Sequence, residues 1–247
     1  MPFTLSHPAA VLVLLRRAGE RGPLVATALV AGSMAPDVPF FAESLLPGVY
    51  RHGGPTHRWW AAPTLDVALT AALAAGWHLL WRGPVAALLP AGWIPAAAGD
   101  GPPRPGPFAL SAAIGAAGHL GWDSFTHRDR AGVRLLPVLN RRVAGVPLYT
   151  ALQYGSSLAG LAVLARYAAA GAGSAAAAST ASPAVPAAER AAVRRMAWAA
   201  AAAGAAHRLA RRRGGRIDEL CFGAGAGLAV GLAAWTLLRG AGAGRAR

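Results

Sequence analysis

The sequence predicts an all-α protein: a polytopic transmembrane helix bundle with six long spans plus a short N-terminal helix. Three observations lead there. Of 247 residues, 55% are hydrophobic and only 14% charged, well on the apolar side of ordinary soluble domains. The apolar residues gather into runs separated by turn signals. The positive charge, net +14, is all arginine and sits in short clusters between those runs, the pattern expected of cytoplasmic loops beside membrane helices. No single basic stripe is present, so nucleic acid is not an expected partner. The lone Cys221 allows no internal disulfide, and no thiol metal cluster is expected.

Met1–Arg17 has an apolar core too short to span a bilayer. Its basic residues follow the apolar part and no small-residue cleavage site comes next, so it reads as a retained half-length helix and not a leader. Thr4, Ser6 and Pro8 start it, with proline at an allowed first-turn position. His7 lies at that start.

Leu24–Phe41 is the first long span, and Ser33-Met34-Ala35-Pro36-Asp37-Val38-Pro39 falls inside it. Two prolines three apart end or kink a helix and free carbonyls that need partners. Asp37 between them either caps the next turn or supplies a ligand at the broken end. Tyr50–Trp60 is a polar loop holding His52 and His57, with Trp59 and Trp60 as interface anchors. Thr64–Trp81 is the second span, with Asp66 near one end and His78 near the other. Pro84–Ala98 is a shorter, proline-interrupted run, and Asp100–Pro107 is a turn. Pro107–His127 is the third span.

Arg128–Arg142 is the strongest cytoplasmic signal. Val146–Arg166 is the fourth span, with a polar patch from Tyr149 to Ser157 that must face other helices or a cavity. Ala168–Ala187, low in complexity and uncharged, reads as a flexible linker. Ala191–His207 and Leu220–Leu238 are the last spans, the latter with Gly223, Gly227 and Gly231 as a close-packing face. The expected organisation is a bundle core over 1–167, a linker over 168–187 and a C-terminal helix pair over 188–247. The expected location is the bacterial inner membrane, multi-pass, with the bilayer as partner.

The chemistry is densest at Gly118–His127. On a helix His119 and Asp123 lie one turn apart on one face, with Cβ atoms about 5–6 Å from each other. An imidazole and a carboxylate so placed converge on one metal ion or on one proton; on a soluble helix the same pair is usually a surface hydrogen bond. Within an apolar span ionisable groups are costly and mark sites. His127 lies about 12 Å further along and roughly 80° round, suited to an outer shell or a second ion. Counting residues along alternating spans puts Asp37 and His119 within about 8 Å of the same depth in a core about 30 Å thick.

Met1–Ala9, Gly32–Phe40, Thr56-His57-Arg58, Gly118–His127 and Leu152–Ser157 together resemble the bacterial membrane proteins grouped as domain of unknown function 4184, over about Met1 to Gly160. More distantly the chain is similar to the inner-membrane metal-dependent hydrolases. That likeness implies a metal set of His7, Asp37, His57, His119 and Asp123. The hydrolase group often has a second acidic residue two positions after the first, where this chain has Pro39. Three histidines and two carboxylates suit zinc or another borderline divalent cation. A metal-dependent hydrolase would use such a centre on a lipid-like or membrane-proximal substrate, with His127 and Asp123 as candidate catalytic residues and His127 as proton carrier. The reading from a different class is a non-enzymatic membrane carrier or scaffold, in which the same residues form a proton path or packing network.

Overall fold

The computed structural model describes residues 3–18, 24–50, 54–90, 93–94, 104–177, 186–211 and 215–245. His52, the predicted turn as far as residue 103, and residues 178–185 of the predicted linker lie outside them. The described chain is helical apart from one small hairpin. In order, a 3₁₀ turn over Thr4–Val11 leads into α1 (Leu12–Ala18). Then come α2 (Ala26–Met34), α3 (Val38–Ala42), α4 (Leu65–Gly76), α5 (Arg82–Leu88), α6 (Pro105–Thr126) and α7 (Ala131–Leu135). The hairpin of β1 (Arg142–Val143) and β2 (Val146–Pro147) precedes α8 (Leu148–Ala177), α9 (Ala187–Ala210) and α10 (Arg216–Arg245).

The six long spans are not found among the described residues. Among the described residues one helix, α10 over Arg216–Ala241, is long and apolar enough to cross a membrane. Length is not what fails in α6, α8 and α9, which have 22, 30 and 24 residues. Polar residues lower their hydropathy: His119, Asp123 and two serines in α6, and Glu189, Arg190, Arg194 and Arg195 in α9. The span predicted at Leu24–Phe41 is broken where its prolines stand, by a 3₁₀ turn over Ala35–Asp37. The span at Thr64–Trp81 is interrupted by a π-helical turn over Trp77–Trp81, beyond which α5 carries the helix past Pro84 to Leu88. The low-complexity stretch is helical as far as Ala177.

The chain forms two compact units. The first comprises residues 1–39, 50–74 and 100–165. At its centre α2 and α6 cross with their backbones nearly touching. A Cβ added at Gly115 would lie 2.4 Å from the Leu29 carbonyl oxygen, and one at Gly32 would lie 2.5 Å from that of Ala112. Ser111, on the same face, accepts the Val25 amide at 2.8 Å and so satisfies a donor at the start of α2.

The second unit comprises residues 40–49, 75–99 and 166–247. Its core joins Ala87, Val193, Ala197 and Leu232, with Trp81 and Trp235 packed against them. Gly223, Gly227 and Gly231 lie where α10 meets α9: a Cβ at Gly227 would stand 2.1 Å from the Ala200 carbonyl oxygen. Arg208 pairs with the buried Glu219 and also donates to the Phe40 carbonyl at 2.9 Å and the Ser44 hydroxyl at 3.1 Å. Arg208→Met takes the guanidinium from a buried carboxylate, and the expected loss is about 3 kcal/mol of unfolding free energy. Chemical denaturation in detergent, read by helical circular dichroism, measures it; an unchanged midpoint would show the pair to be dispensable.

Candidate metal centre

Five residues distant in sequence meet in the first unit. His7 comes from the N-terminal 3₁₀ turn, Asp37 from the turn between α2 and α3, His57 from a 3₁₀ turn over Pro55–His57, and His119 and Asp123 from α6. All five are buried. Each arrives for a local reason. Pro36 cannot continue the amide ladder of α2, so the helix tightens there and Asp37 faces α6. Gly54, at φ 63°, takes the left-handed backbone that turns the loop into Pro55–His57. Gly32 and Gly115 let α2 lie close enough for Asp37 to reach one turn beyond Gly115.

Four donor atoms form a closed ring. Asp37 Oδ1 lies 3.4 Å from His57 Nε2 and 3.6 Å from His119 Nε2; Asp123 Oδ2 lies 3.6 Å from His57 Nε2 and 3.4 Å from His119 Nε2. The structure places His7, His119 and Asp123, and separately Asp37, His57 and His119, with donor atoms within 4.8 Å of one another. The centre of a flat ring with the sides above is about 2.5 Å from its corners, somewhat beyond the about 2.0–2.2 Å of zinc–nitrogen and zinc–oxygen bonds. These separations exceed the 2.7–2.9 Å typical of charge-assisted hydrogen bonds. Asp37 Oδ1, His119 Nε2 and Asp123 Oδ2 are buried without a hydrogen-bond partner, although buried polar atoms are normally paired.

The outer contacts explain which atoms point inward. His119 Nδ1 lies 2.8 Å from the Ser33 carbonyl. A carbonyl only accepts, so Nδ1 donates, and in the neutral tautomer that this fixes it is Nε2 whose lone pair would face a cation at the centre. His7 Nδ1 does the same to the Thr4 carbonyl at 3.2 Å. Thr56 donates to the Pro36 carbonyl at 2.8 Å, which leaves its oxygen to accept from His57 Nδ1 at 3.3 Å. Thr4 donates to Asp37 Oδ2 at 2.6 Å, leaving Oδ1 for the ring. Fixing the remote nitrogen of each imidazole and one oxygen of the carboxylate is how outer-shell groups orient metal ligands.

His127 caps α6 and is not in the ring. Its Nδ1 lies 3.5 Å from Asp123 Oδ1 and 3.1 Å from the Thr126 hydroxyl, and its Nε2 lies 3.0 Å from the Gln153 amide. It keeps 22% of its side-chain surface, which places it at the edge of the cluster.

Several participants carry no sequence signal that marks them as site residues. Thr4 and Thr56 read as an ordinary start and loop, and Arg130 as one more topogenic arginine. In the structure Arg130 donates to the His57 carbonyl at 3.2 Å. Tyr50 is half-buried beside it, and burial raises its phenol above the ordinary range despite the nearby Arg130 charge. Asp66 on α4 is buried, and neither of its carboxylate oxygens has a hydrogen-bond partner. A polar residue inside an apolar run was the one available signal, and for Asp66 it was present.

Among known proteins, the model of the family described as Domain of unknown function (DUF4184) matches residues 1–236. The match extends past the Met1–Gly160 stretch in which the motifs stand, into α10. No curated protein and no solved structure matches the chain. The more distant likeness to the inner-membrane metal-dependent hydrolases finds no support in these matches.

Proposed function

The chain belongs to the DUF4184 family, and from the site it carries we propose a divalent-metal centre that hydrolyses a lipid-like or membrane-proximal substrate. The observation that carries the reading is the ring of four donors with three unpartnered acceptor-type atoms turned toward one point. Lone pairs and carboxylate oxygens brought together in a buried space repel unless a cation lies between them. Two imidazoles and two carboxylates suit zinc or a similarly borderline ion. Such an ion would acidify water and polarise the bond to be cleaved.

The protein's own groups account for the rest of the proposed mechanism. Asp37, His57, His119 and Asp123 hold the ion. Ser33, Thr4 and Thr56 keep its ligands in the binding tautomer and orientation. His127, at the rim and held by Gln153, passes protons between the centre and solvent. Membrane seating is supported by α10 and by a surface on which large apolar side chains face outward: Leu5, Val13, Leu110 and Leu158 in the first unit, and Leu79, Trp198, Leu237 and Leu238 in the second. In the first unit these outward apolar side chains surround a buried polar cluster.

The second reading, a carrier with a proton path, draws on the continuous run of short polar contacts from Gln153 through His127, Asp123 and His119 to Asp37. Elemental analysis of the detergent-purified chain separates the two. At least one tightly held divalent ion per chain, with ester or phosphoester hydrolysis lost on chelation, is the expected result. Metal-free protein that moves protons across vesicles would overturn it in favour of the carrier.

A further inference from the structure

The four-donor ring uses only one oxygen of Asp123 and leaves His7 outside. Yet His7 is fully buried against the ring, with its Nε2 3.3 Å from Asp123 Oδ1. Its Nδ1 donates to the Thr4 carbonyl, so Nε2, the hydrogen-bond partner of Asp123 Oδ1, is the nitrogen available to a cation in the tautomer protonated on Nδ1. A contact of 3.3 Å is long for an imidazolium–carboxylate hydrogen bond, which runs to about 2.7–2.9 Å. It also matches the separation of two donors sharing one ion at about 2.0–2.2 Å from each, and His7, His119 and Asp123 form a group whose donor atoms lie within 4.8 Å of one another.

A second relation points the same way. The imidazoles of His7 and His119 are stacked, with centroids 3.9 Å apart and planes within 19°. One faces Asp123 Oδ1 and the other Asp123 Oδ2, at 3.3 and 3.4 Å. Two parallel rings, each opposite its own oxygen of one carboxylate, place two cation positions side by side. Their spacing follows the rings, close to the roughly 3.5–4 Å of two-metal hydrolytic sites.

We propose that the centre is dinuclear, with Asp123 bridging two divalent cations: one in the ring of Asp37, His57, His119 and Asp123 Oδ2, the other on His7 Nε2 and Asp123 Oδ1. This rests on the metal reading of the pocket and extends it. The second ion has fewer protein ligands, so it is held more weakly and keeps open positions for water or substrate. His127, 3.5 Å from the same Oδ1, stands on that side.

The test is a titration of the full chain in detergent with Mn²⁺, followed by equilibrium dialysis and elemental analysis. Two ions per chain are expected, binding in two steps at least about tenfold apart, with the electron paramagnetic resonance signal of an exchange-coupled pair at saturation. His7→Gln should bind one ion with the tighter constant unchanged and the uncoupled six-line signal. One ion per wild-type chain at saturation would overturn the dinuclear centre and leave the mononuclear one standing. Two ions retained in His7→Gln would overturn it as well. No ion at all would overturn both readings together. Should His7→Gln fail to fold, wild-type stoichiometry and spin coupling still decide.

Discussion

Asp123→Asn is expected to abolish tight metal binding, with affinity falling well beyond the 10–100-fold that losing an outer-shell partner costs. Asp123 is the residue on which the cluster converges: its Oδ2 meets His57 and His119, and its Oδ1 meets His7 and His127. Asparagine has nearly the same shape but carries no charge and turns one oxygen into a donor, which faces imidazole nitrogens that already present lone pairs. The readout is the metal-induced rise in unfolding midpoint. At 100 times the dissociation constant, binding stabilises the wild type by about 2.7 kcal/mol. The variant should show almost none of this while keeping its helical circular dichroism. Equal metal-induced stabilisation in the two proteins would remove Asp123 from the centre.

The second large effect needs one methyl group. Gly115→Ala puts a Cβ 2.4 Å from the Leu29 carbonyl oxygen and 2.7 Å from the Ser33 amide nitrogen. Both are backbone atoms that no rotamer change can clear, so α2 and α6 must separate by several tenths of an ångström. Overpacking of this kind costs about 1–3 kcal/mol. It also moves the Ser33 carbonyl away from His119, which lies one turn along α6 from Gly115, so metal affinity should fall together with stability. Gly121→Ala is the control on the same helix. Nothing lies within 4 Å of its added Cβ, and replacing a mid-helix glycine by alanine contributes about 0.5–1 kcal/mol of stability. Thermal unfolding and metal titration of the two variants should diverge in sign. If both lose stability alike, the close approach of α2 and α6 is not what holds the site.

His119, Asp123 and Asp37 stand out in the sequence because each sits in an apolar or proline-broken run, whereas His7 and His57 are picked out only by the family resemblance. His119 and Asp123 share a helix face at i and i+4, and that alone puts them together. Asp37 stood between two prolines, and proline's missing amide made a break in α2 there a matter of covalent structure. The helical class followed from composition and from runs bounded by Gly and Pro. The span read from sequence at Leu220–Leu238 lies within the membrane-length helix Arg216–Ala241, where leucines, a valine and a tryptophan stand among the alanines.

What local sequence could not decide was how many runs are true spans and which atoms face inward. Two of the six runs are broken, by the 3₁₀ turn over Ala35–Asp37 and the π-helical turn over Trp77–Trp81, and polar residues dilute others, so counting apolar residues overstated the number of spans. The roles of Thr4, Thr56 and Ser33 depend on hydrogen bonds to rings and carbonyls up to 86 residues away, and no spacing rule carries over such distances. The stacking of His7 on His119 is likewise a product of the fold, since it brings a 3₁₀ turn at one end of the chain against a helix that begins at Pro105. Residue types and helix periodicity determined which groups were available and which pairs shared a face. Only the tertiary packing, through the glycine contact of α2 with α6, decided that those groups meet at one point with their lone pairs turned toward it.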